Sequence, residues 1–285
     1  MTTQQPDNSP SRRIIVLLDS SRSSGDTLEA ALQLAARRRS EVLGLFVEDT
    51  DLLRSAELPF GGEIGVTSGQ IRPMELKEIE RRLHYQAEEV RRRLATAARR
   101  HAVQWTFQVS RGRPDTTTMA VTHPTDLLVV GRVTVSGNHH AHVTEHTFRI
   151  ASGANCSVMI VGRTSVPEAR KPVLVLYDAS DSGARAVRAA AVIARDAGQA
   201  LTVLLPPNTS EATDQLETAA RQGAELLGSR PAFMRLPDED AESLAMALRS
   251  TGGQALILSR QSRALQSAAG RRLLDEIESP VVVVP

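Results

Sequence analysis

One strand-like segment of the chain occurs twice. Residues 14–21 read IIVLLDSS, and residues 173–180 read VLVLYDAS. Each is an apolar run that ends in an aspartate, which is Asp19 in the first copy and Asp178 in the second. An uninterrupted run of this kind is typical of a strand that is buried on both faces of a parallel sheet. The repeat therefore predicts a duplicated α/β domain, with one such strand at the centre of each copy.

The register of shorter matches supports the duplication. Ser24-Gly25 corresponds to Ser182-Gly183, and Gly131-Arg132 corresponds to Ser259-Arg260. Predicted strands alternate with predicted helices in both halves, which indicates two parallel sheets with right-handed crossovers.

A length of 285 residues is sufficient for two domains. We predict a first domain at 13–163 and a second at 172–285. A linker at 164–171 joins them, and a disordered leader at 1–12 precedes them.

Between the second predicted strand and the first long helix, residues 48–72 contain one proline and four glycines and show no apolar periodicity. Structureless segments of this length are functional or disordered, so we predict a long loop there. Pro73 opens the next segment, in which apolar residues recur at helical spacing to about His101. This pattern predicts a long amphipathic helix.

The composition limits the partners and the compartment. The formal net charge is +1, so no overall field attracts nucleic acid or acidic membranes. Cys156 is the only cysteine, which excludes an intrachain disulfide and indicates a reducing compartment. No run approaches the roughly 18 apolar residues of a membrane span, and the polar N-terminus lacks the apolar segment of a signal peptide. We predict a cytoplasmic protein with no nucleic-acid partner and no membrane insertion.

Several stretches resemble the universal stress protein family. They are the apolar strand ending in Asp19, the serine-rich turn into an alanine-rich helix, the segment 126–132 (DLLVVGR) and the segment 156–161 (CSVMIV). The resemblance covers about residues 12–163 and again 171–285. The chain as a whole therefore resembles a tandem member of that family.

This resemblance implies a Rossmann-like, adenine nucleotide α-hydrolase-like fold in each half, with a five-stranded parallel sheet in the order 3-2-1-4-5. It also implies association through the last strands, which in a tandem chain gives an internal pseudo-dimer. We expect residues 158–161 to pair with 281–284, because an edge strand of four valines needs a cover. A homodimer of two tandem chains is left open.

In ATP-binding members of the family, the acid that ends strand one faces the adenine and ribose. A Gly-x2-Gly-x9-Gly-Ser/Thr loop after strand four wraps the phosphates, because glycines let backbone N–H groups approach phosphate oxygens. Gly131 matches the first glycine, but the later positions hold Thr134, Thr144 and Glu145. Side chains there hinder close approach of the backbone, and a glutamate repels phosphate. The candidate ligand residues of the first half are Asp19, Gly131 and Arg132.

In the second half, the matching loop positions are small and mostly carry hydroxyls, with three arginines nearby. The candidate ligand residues there are Asp178, Ser259, Arg260, Ser262 and Ser267. Aspartates at strand ends are also good turn and capping residues, so a structural role for both aspartates is the alternative.

A histidine-rich segment lies where the family places its phosphate loop. His139, His142 and His146 would share one face of a helix, a geometry that can ligate a divalent metal. An exposed polar loop is the alternative, as is an imidazole cluster that meets an anion or a protein at low pH.

The leading hypothesis is a non-catalytic tandem universal stress protein that acts in stress adaptation. It would bind an unidentified protein partner or a nucleotide-like ligand, such as ATP or another adenine nucleotide. The alternatives are an ATP-binding and ATP-hydrolysing member of the same superfamily, and a metal-binding module that uses residues 139–146. No Walker lysine motif, zinc-protease motif or Gly-x-Ser-x-Gly elbow occurs, so no catalytic residue is assigned.

Overall fold

In a computed structural model, the chain forms two compact units, residues 1–128 and 129–285. The structure describes residues 13–21, 23–57, 62–64, 71–73, 76–134, 141–162, 171–207 and 210–285. The predicted leader and the predicted linker, apart from Lys171, lie outside the described residues. The predicted domain limits therefore stay a prediction.

The first unit contains strands and helices that alternate along the chain. They are β1 (Arg13–Leu18), α1 (Ser23–Arg38), β2 (Glu41–Asp49), α2 (Thr50–Glu57), β3 (Gly62–Ile64), β4 (Ile71–Pro73), α3 (Leu76–His101), β5 (Trp105–Gly112) and α4 (Pro114–Val121). A further strand, β6 (Leu127–Gly131), spans the division between the units.

In the first unit, β2 lies between β1 and β5, and both pairings are parallel. β1 is covered on both faces, since Ile14, Ile15 and Val16 have no exposed surface. This explains why its sequence is an uninterrupted apolar run. Helix α3 buries Leu83, Val90 and Leu94 at helical spacing. The predicted long helix is confirmed, although it begins at Leu76 rather than at Pro73.

The predicted long loop at 48–72 is wrong in part. β2 continues to Asp49, α2 follows directly, and β3 pairs with β4 in an antiparallel ribbon. Leu53 of α2 is buried with Ile79 and Leu83 of α3. An eight-residue helix makes about two turns, which is too short for an apolar period to stand out in the sequence.

Over its described residues, the second unit continues with a further series of strands and helices. They are β7 (Val133–Thr134), β8 (Ala141–His142), α5 (Glu145–Gly153), β9 (Ser157–Val161), β10 (Val173–Leu176), α6 (Asp181–Ala197), β11 (Leu201–Leu205), α7 (Ser210–Glu225), β12 (Ala232–Arg235), α8 (Ala241–Thr251), β13 (Ala255–Ser259), α9 (Arg263–Gln266), α10 (Gly270–Glu276) and β14 (Val281–Val284).

The strands of the second half lie in the order β12-β11-β10-β13-β14, all parallel. Counted along that half, this is the predicted order 3-2-1-4-5. The sheet differs from a separate five-stranded sheet because β9 and β6 continue it beyond β14. The sheet of the second unit thus has seven strands.

Strands β9 and β14 pair antiparallel, with Val282 opposite Met159. The predicted pairing of 158–161 with 281–284 is therefore confirmed. All four valines of β14 are buried. This pairing protects an apolar strand that would otherwise be open along one edge.

The sequence predicts one helix over 265–277, and this prediction is wrong. Two short helices, α9 and α10, cover the segment, with a break at 267–269. A Cβ on Gly270 would lie 2.0 Å from the carbonyl oxygen of Leu265, so only glycine permits the tight approach of the two helices. Across the described ranges, no helix is both long enough and apolar enough to cross a membrane.

Candidate functional site

The candidate site lies beyond the carboxyl ends of β10 and β13. β10 is flanked by β11 on one side and by β13 on the other. The chain leaves β10 through α6 towards β11, whereas β13 is reached much later in the sequence. Such a reversal of strand order opens a crevice at the carboxyl edge of a parallel sheet, which is where α/β proteins bind ligands.

Asp178 is held in this crevice by the turn that follows β10. Its Oδ1 accepts hydrogen bonds from the backbone N–H of Ser180 at 3.1 Å and from the Ser180 hydroxyl at 2.6 Å. A Cβ on Gly183 would lie 2.1 Å from the same oxygen, so the carboxylate rests against helix α6 where there is no side chain. Ala179 has a φ of 61°, a left-handed conformation that non-glycine residues rarely adopt.

A series of hydroxyls extends from Asp178, and two of its members, Ser182 and Ser259, have no exposed surface. The Ser180 and Ser182 hydroxyl oxygens are 3.0 Å apart, and Ser259 donates to Ser182 at 2.7 Å. Ser182 in turn donates to Oε1 of Gln261 at 3.0 Å, and the Gln261 N–H donates to the Ser259 hydroxyl. We call these five residues the serine chain. It joins the turn after β10 to the turn after β13.

Glu239 adds a second acidic side chain on the α8 side. Its Oε1 accepts a hydrogen bond from the Arg263 N–H at 3.1 Å. Burial raises the pKa of Glu239, and the negative charge of Asp178 raises it further. Burial, with a smaller contribution from Asp178, also raises the pKa of Tyr177. The crevice is therefore rich in acceptors and electrostatically unfavourable for an additional negative charge beside the two carboxylates.

The structure brings together only two of the five residues predicted for the second half, Asp178 and Ser259. Arg260 turns away and donates to the Ala154 carbonyl at 2.5 Å. Ser262 is buried and caps α9, and Ser267 donates to the Ala264 carbonyl at 3.2 Å. A ligand role for these three stays a prediction, but their polar groups already have partners within the chain.

Asp19 lies in the first unit and differs from Asp178 in its surroundings. It is exposed, and its Oδ1 accepts a hydrogen bond from the Ser21 N–H at 2.8 Å. Its own N–H donates to the Ser24 hydroxyl. A Cβ on Gly25, which matches Gly183 in sequence, would meet no atom within 4 Å.

Gly131 and Arg132 lie in the second unit, at and after the end of β6. The Arg132 side chain is buried and donates to the carbonyls of Glu278 and Ser279, at 3.0 and 3.3 Å. Burial lowers the pKa of Arg132 to about 10, and the charges of Asp275 and Glu278 oppose this shift. Arg132 therefore stabilises the turn before β14 through these two hydrogen bonds.

In the loop after β6, Thr144 and Glu145 occupy the positions where the family motif has glycine and serine or threonine. Both side chains have structural roles. The Thr144 hydroxyl caps α5 by accepting from the Thr147 N–H at 3.1 Å. Glu145, in the first turn of α5, forms an ion pair with Arg149. Both side chains strengthen the start of α5 in place of a bound anion.

The histidines do not share a helical face as the sequence predicts. His142 lies on β8 and His146 on α5, because the cap at Thr144 starts a new helix between them. His139 lies outside the described residues. Within the part of the chain that is described, no group of three or more potential metal ligands assembles.

A family model described as universal stress protein family matches residues 10–162. The chain belongs to the universal stress protein family. A universal stress protein from Archaeoglobus fulgidus DSM 4304 has a similar solved structure, with 14% identity and a TM-score of 0.73. The match covers 96% of this chain and 98% of that one.

A functionally unknown protein from Pseudomonas aeruginosa PAO1 is also similar in structure, with 17% identity and a TM-score of 0.61. That match covers 95% of this chain and 92% of the other. No curated protein matches the sequence. At these identities the structural likeness shows the fold alone, so the chemistry of this universal stress protein must be argued from its own residues.

Sequence reasoning missed Ser182, Gln261 and Glu239. None of them occupies a position of the family motif. One signal was available for Ser182, because it stands in register with Ser24 at the start of the following helix. No sequence signal places Gln261 or Glu239, since α8 and the turn after β13 approach Asp178 only in the folded chain.

Ala179→Gly is expected to raise the free energy of unfolding by about 0.5–1 kcal/mol. Relief of the left-handed strain, about 1–2 kcal/mol, exceeds the extra entropy that glycine gives the unfolded chain. The matched control is Ser20→Gly, where φ is not positive and only the entropic loss remains. Urea denaturation measures both variants, and a destabilised Ala179→Gly would contradict the strain.

Proposed function

We propose that the second half binds an adenine-nucleotide-like small molecule in the crevice beyond β10 and β13, and that binding rather than bond cleavage is its function. The observation that carries the proposal is the serine chain, which links Asp178 to the turn after β13 across a strand-order reversal. In a stress protein, such a ligand would report a change in nucleotide supply to a protein partner.

The free hydrogen-bonding groups at both ends of the serine chain support a ligand that carries donors and acceptors. Ser180 holds Oδ1 of Asp178, whereas no described residue donates to Oδ2. A carboxylate only accepts, so Oδ2 suits a ribose hydroxyl or an adenine amino group. Gln261 accepts through Oε1 from Ser182, which leaves its amide NH2 to donate.

The proposal assigns most of the affinity to the nucleoside part of the ligand. Ser262 and Ser267, which the family motif aligns with the phosphates, are engaged in their own helix contacts. Asp178 and Glu239 would repel a phosphate placed beside them. We therefore expect adenosine, AMP and ATP to bind with affinities within about tenfold of one another, a spread of roughly 1.4 kcal/mol.

The deciding substitution is Asp178→Asn. Asparagine keeps an oxygen that can accept from Ser180, but it replaces Oδ2 with an NH2 group that cannot accept. Loss of a charged acceptor costs about 1.5–3 kcal/mol, so we expect binding of AMP to weaken by about tenfold or more. Isothermal titration calorimetry of the wild type and the variant measures this change.

Asp19→Asn is the matched control, because Asp19 holds the same sequence position in the first copy but is exposed. It should leave AMP affinity unchanged. If the wild type binds neither AMP nor ATP at millimolar concentration, the proposal fails. Equal loss of affinity in both variants would also reject the crevice as the site.

ATP hydrolysis is the second candidate function, and Glu239 is the observation that favours it. A carboxyl group of raised pKa beside a second carboxylate is a common arrangement in acid–base catalysis. Turnover of ATP that Glu239→Gln abolishes, with AMP binding retained, would replace the non-catalytic proposal.

A further inference from the structure

The loop after β6 makes close contacts with α10. The backbone N–H of Val143 donates to Oδ1 of Asp275 at 2.6 Å, which is short for an N–H···O bond. Arg271, one helical turn earlier on α10, donates to the Val143 carbonyl at 3.2 Å. Val143 directly precedes the α5 cap at Thr144. A carboxylate of the second half is thus bound by a backbone N–H at the start of a first-half helix.

A buried guanidinium lies near the same carboxylate. The charge of Asp275 favours the charged form of Arg132, so the two groups are close enough to interact. Arg132 is 3% exposed, and its buried Nε has no hydrogen-bond partner among the described residues. Arg271 holds the other side of the same peptide segment, because it donates to the Val143 carbonyl. An anion that lay here would meet a backbone N–H and the field of a buried arginine, both of which favour negative charge.

We infer that Asp275 is a built-in anion held by the loop after β6, so this loop is a self-occupied site for a carboxylate. A free anion is excluded by the carboxylate already present. The inference goes beyond the proposed function and does not depend on it. Together with that proposal it leaves one exchangeable small-molecule site per chain, in the second half.

The test is chemical rescue of Asp275→Ala by formate. Removal of the carboxylate leaves the Val143 N–H without its acceptor and Arg132 without a nearby negative charge, so the melting temperature should fall. Formate has the size of the deleted group and should restore it. If formate binds the native variant and not the unfolded chain, the melting temperature should rise by roughly 2–4 °C at 100 mM sodium formate, relative to 100 mM sodium chloride.

Two variants on the same helix are the controls. Asp275→Asn keeps an acceptor for the Val143 N–H and leaves no space for formate, so it should show no rescue. Glu276→Ala removes an exposed carboxylate that pairs with Arg272 on the helix surface, at 2.9 Å. It should respond to formate no more than the wild type does.

Absence of rescue in Asp275→Ala, or an equal formate response in all four proteins, would overturn the inference. If Asp275→Ala does not fold in chloride, its refolding yield against formate concentration replaces the melting temperature as the readout. A yield that stays flat in formate would likewise overturn it. Failure of AMP binding leaves this result untouched, so the two proposals fail separately.

Discussion

Arg132→Met is expected to lower the free energy of unfolding by about 2 kcal/mol, because two carbonyl groups lose their donor and each such loss costs about 1–3 kcal/mol. The guanidinium binds the carbonyls of Glu278 and Ser279 in the turn before β14. Methionine retains most of the apolar stem, so the variant tests the polar contacts rather than the packing.

The cost of burying the Arg132 charge keeps the expected loss of stability near the lower end of the range. Burial lowers the pKa of Arg132 to about 10, because the charged side chain is less well solvated in the folded protein than in water. Methionine removes that cost. The loss of the carbonyl contacts is nevertheless the larger effect, because the turn has no described donor that replaces the guanidinium.

Urea denaturation of the wild type and of Arg132→Met measures the difference. The matched control is Arg111→Met, because the Arg111 side chain is 52% exposed and pairs with Glu48 and Glu80 at the surface of the first unit. Exposed ion pairs contribute little to stability. Equal stability losses in the two variants would show that the carbonyl contacts of the buried Arg132 stabilise the protein no more than an exposed ion pair does.

The sequence contains enough information for much of the fold because the central strands are apolar along most of their length. The two copies of the first strand, β1 and β10, are recognisable for that reason, and four consecutive valines predict the pairing of β14 with β9. Helix α2 escaped prediction because two turns with a single buried leucine give no periodic signal. The break between α9 and α10 escaped because Gly270 reads as an ordinary helix residue until its contact with Leu265 is seen.

The candidate site was harder to predict because equal sequence positions have unequal surroundings. Asp19 and Asp178 align, but one is exposed and the other rests against Gly183. Arg132 and Arg260 align as well, and both donate to backbone carbonyls that the family motif does not predict. A motif records which residue types follow a strand, whereas the direction of each side chain depends on elements that are distant in sequence.

Gly183→Ala is expected to have the opposite effect on stability to Gly25→Ala, although the two glycines occupy the same position of the repeat. Alanine at Gly25 meets no atom within 4 Å and gains helix propensity, so we expect the free energy of unfolding to rise by about 0.5–1 kcal/mol. Alanine at Gly183 gains the same propensity but places its Cβ 2.1 Å from Oδ1 of Asp178.

The Asp178 carboxylate has to turn away from alanine at 183, and it then loses the two hydrogen bonds from Ser180. Charged hydrogen bonds of this kind contribute about 1.5–3 kcal/mol, so the net change for Gly183→Ala is a loss of about 1–2 kcal/mol after the propensity gain. Urea denaturation of both variants provides the comparison. Stabilisation of both would show that Asp178 moves aside at no cost and that the turn after β10 does not fix it.

The same pair of variants separates the position of Asp178 from its chemistry. Gly183→Ala leaves the carboxylate in the chain but moves it, so under the proposed function AMP binding should weaken by about tenfold, as it does when the acceptor is deleted by Asp178→Asn. Gly25→Ala should bind AMP as the wild type does. If Gly183→Ala retains wild-type affinity while Asp178→Asn loses it, the carboxylate acts from a turned conformation, and binding does not need the tight approach to Gly183.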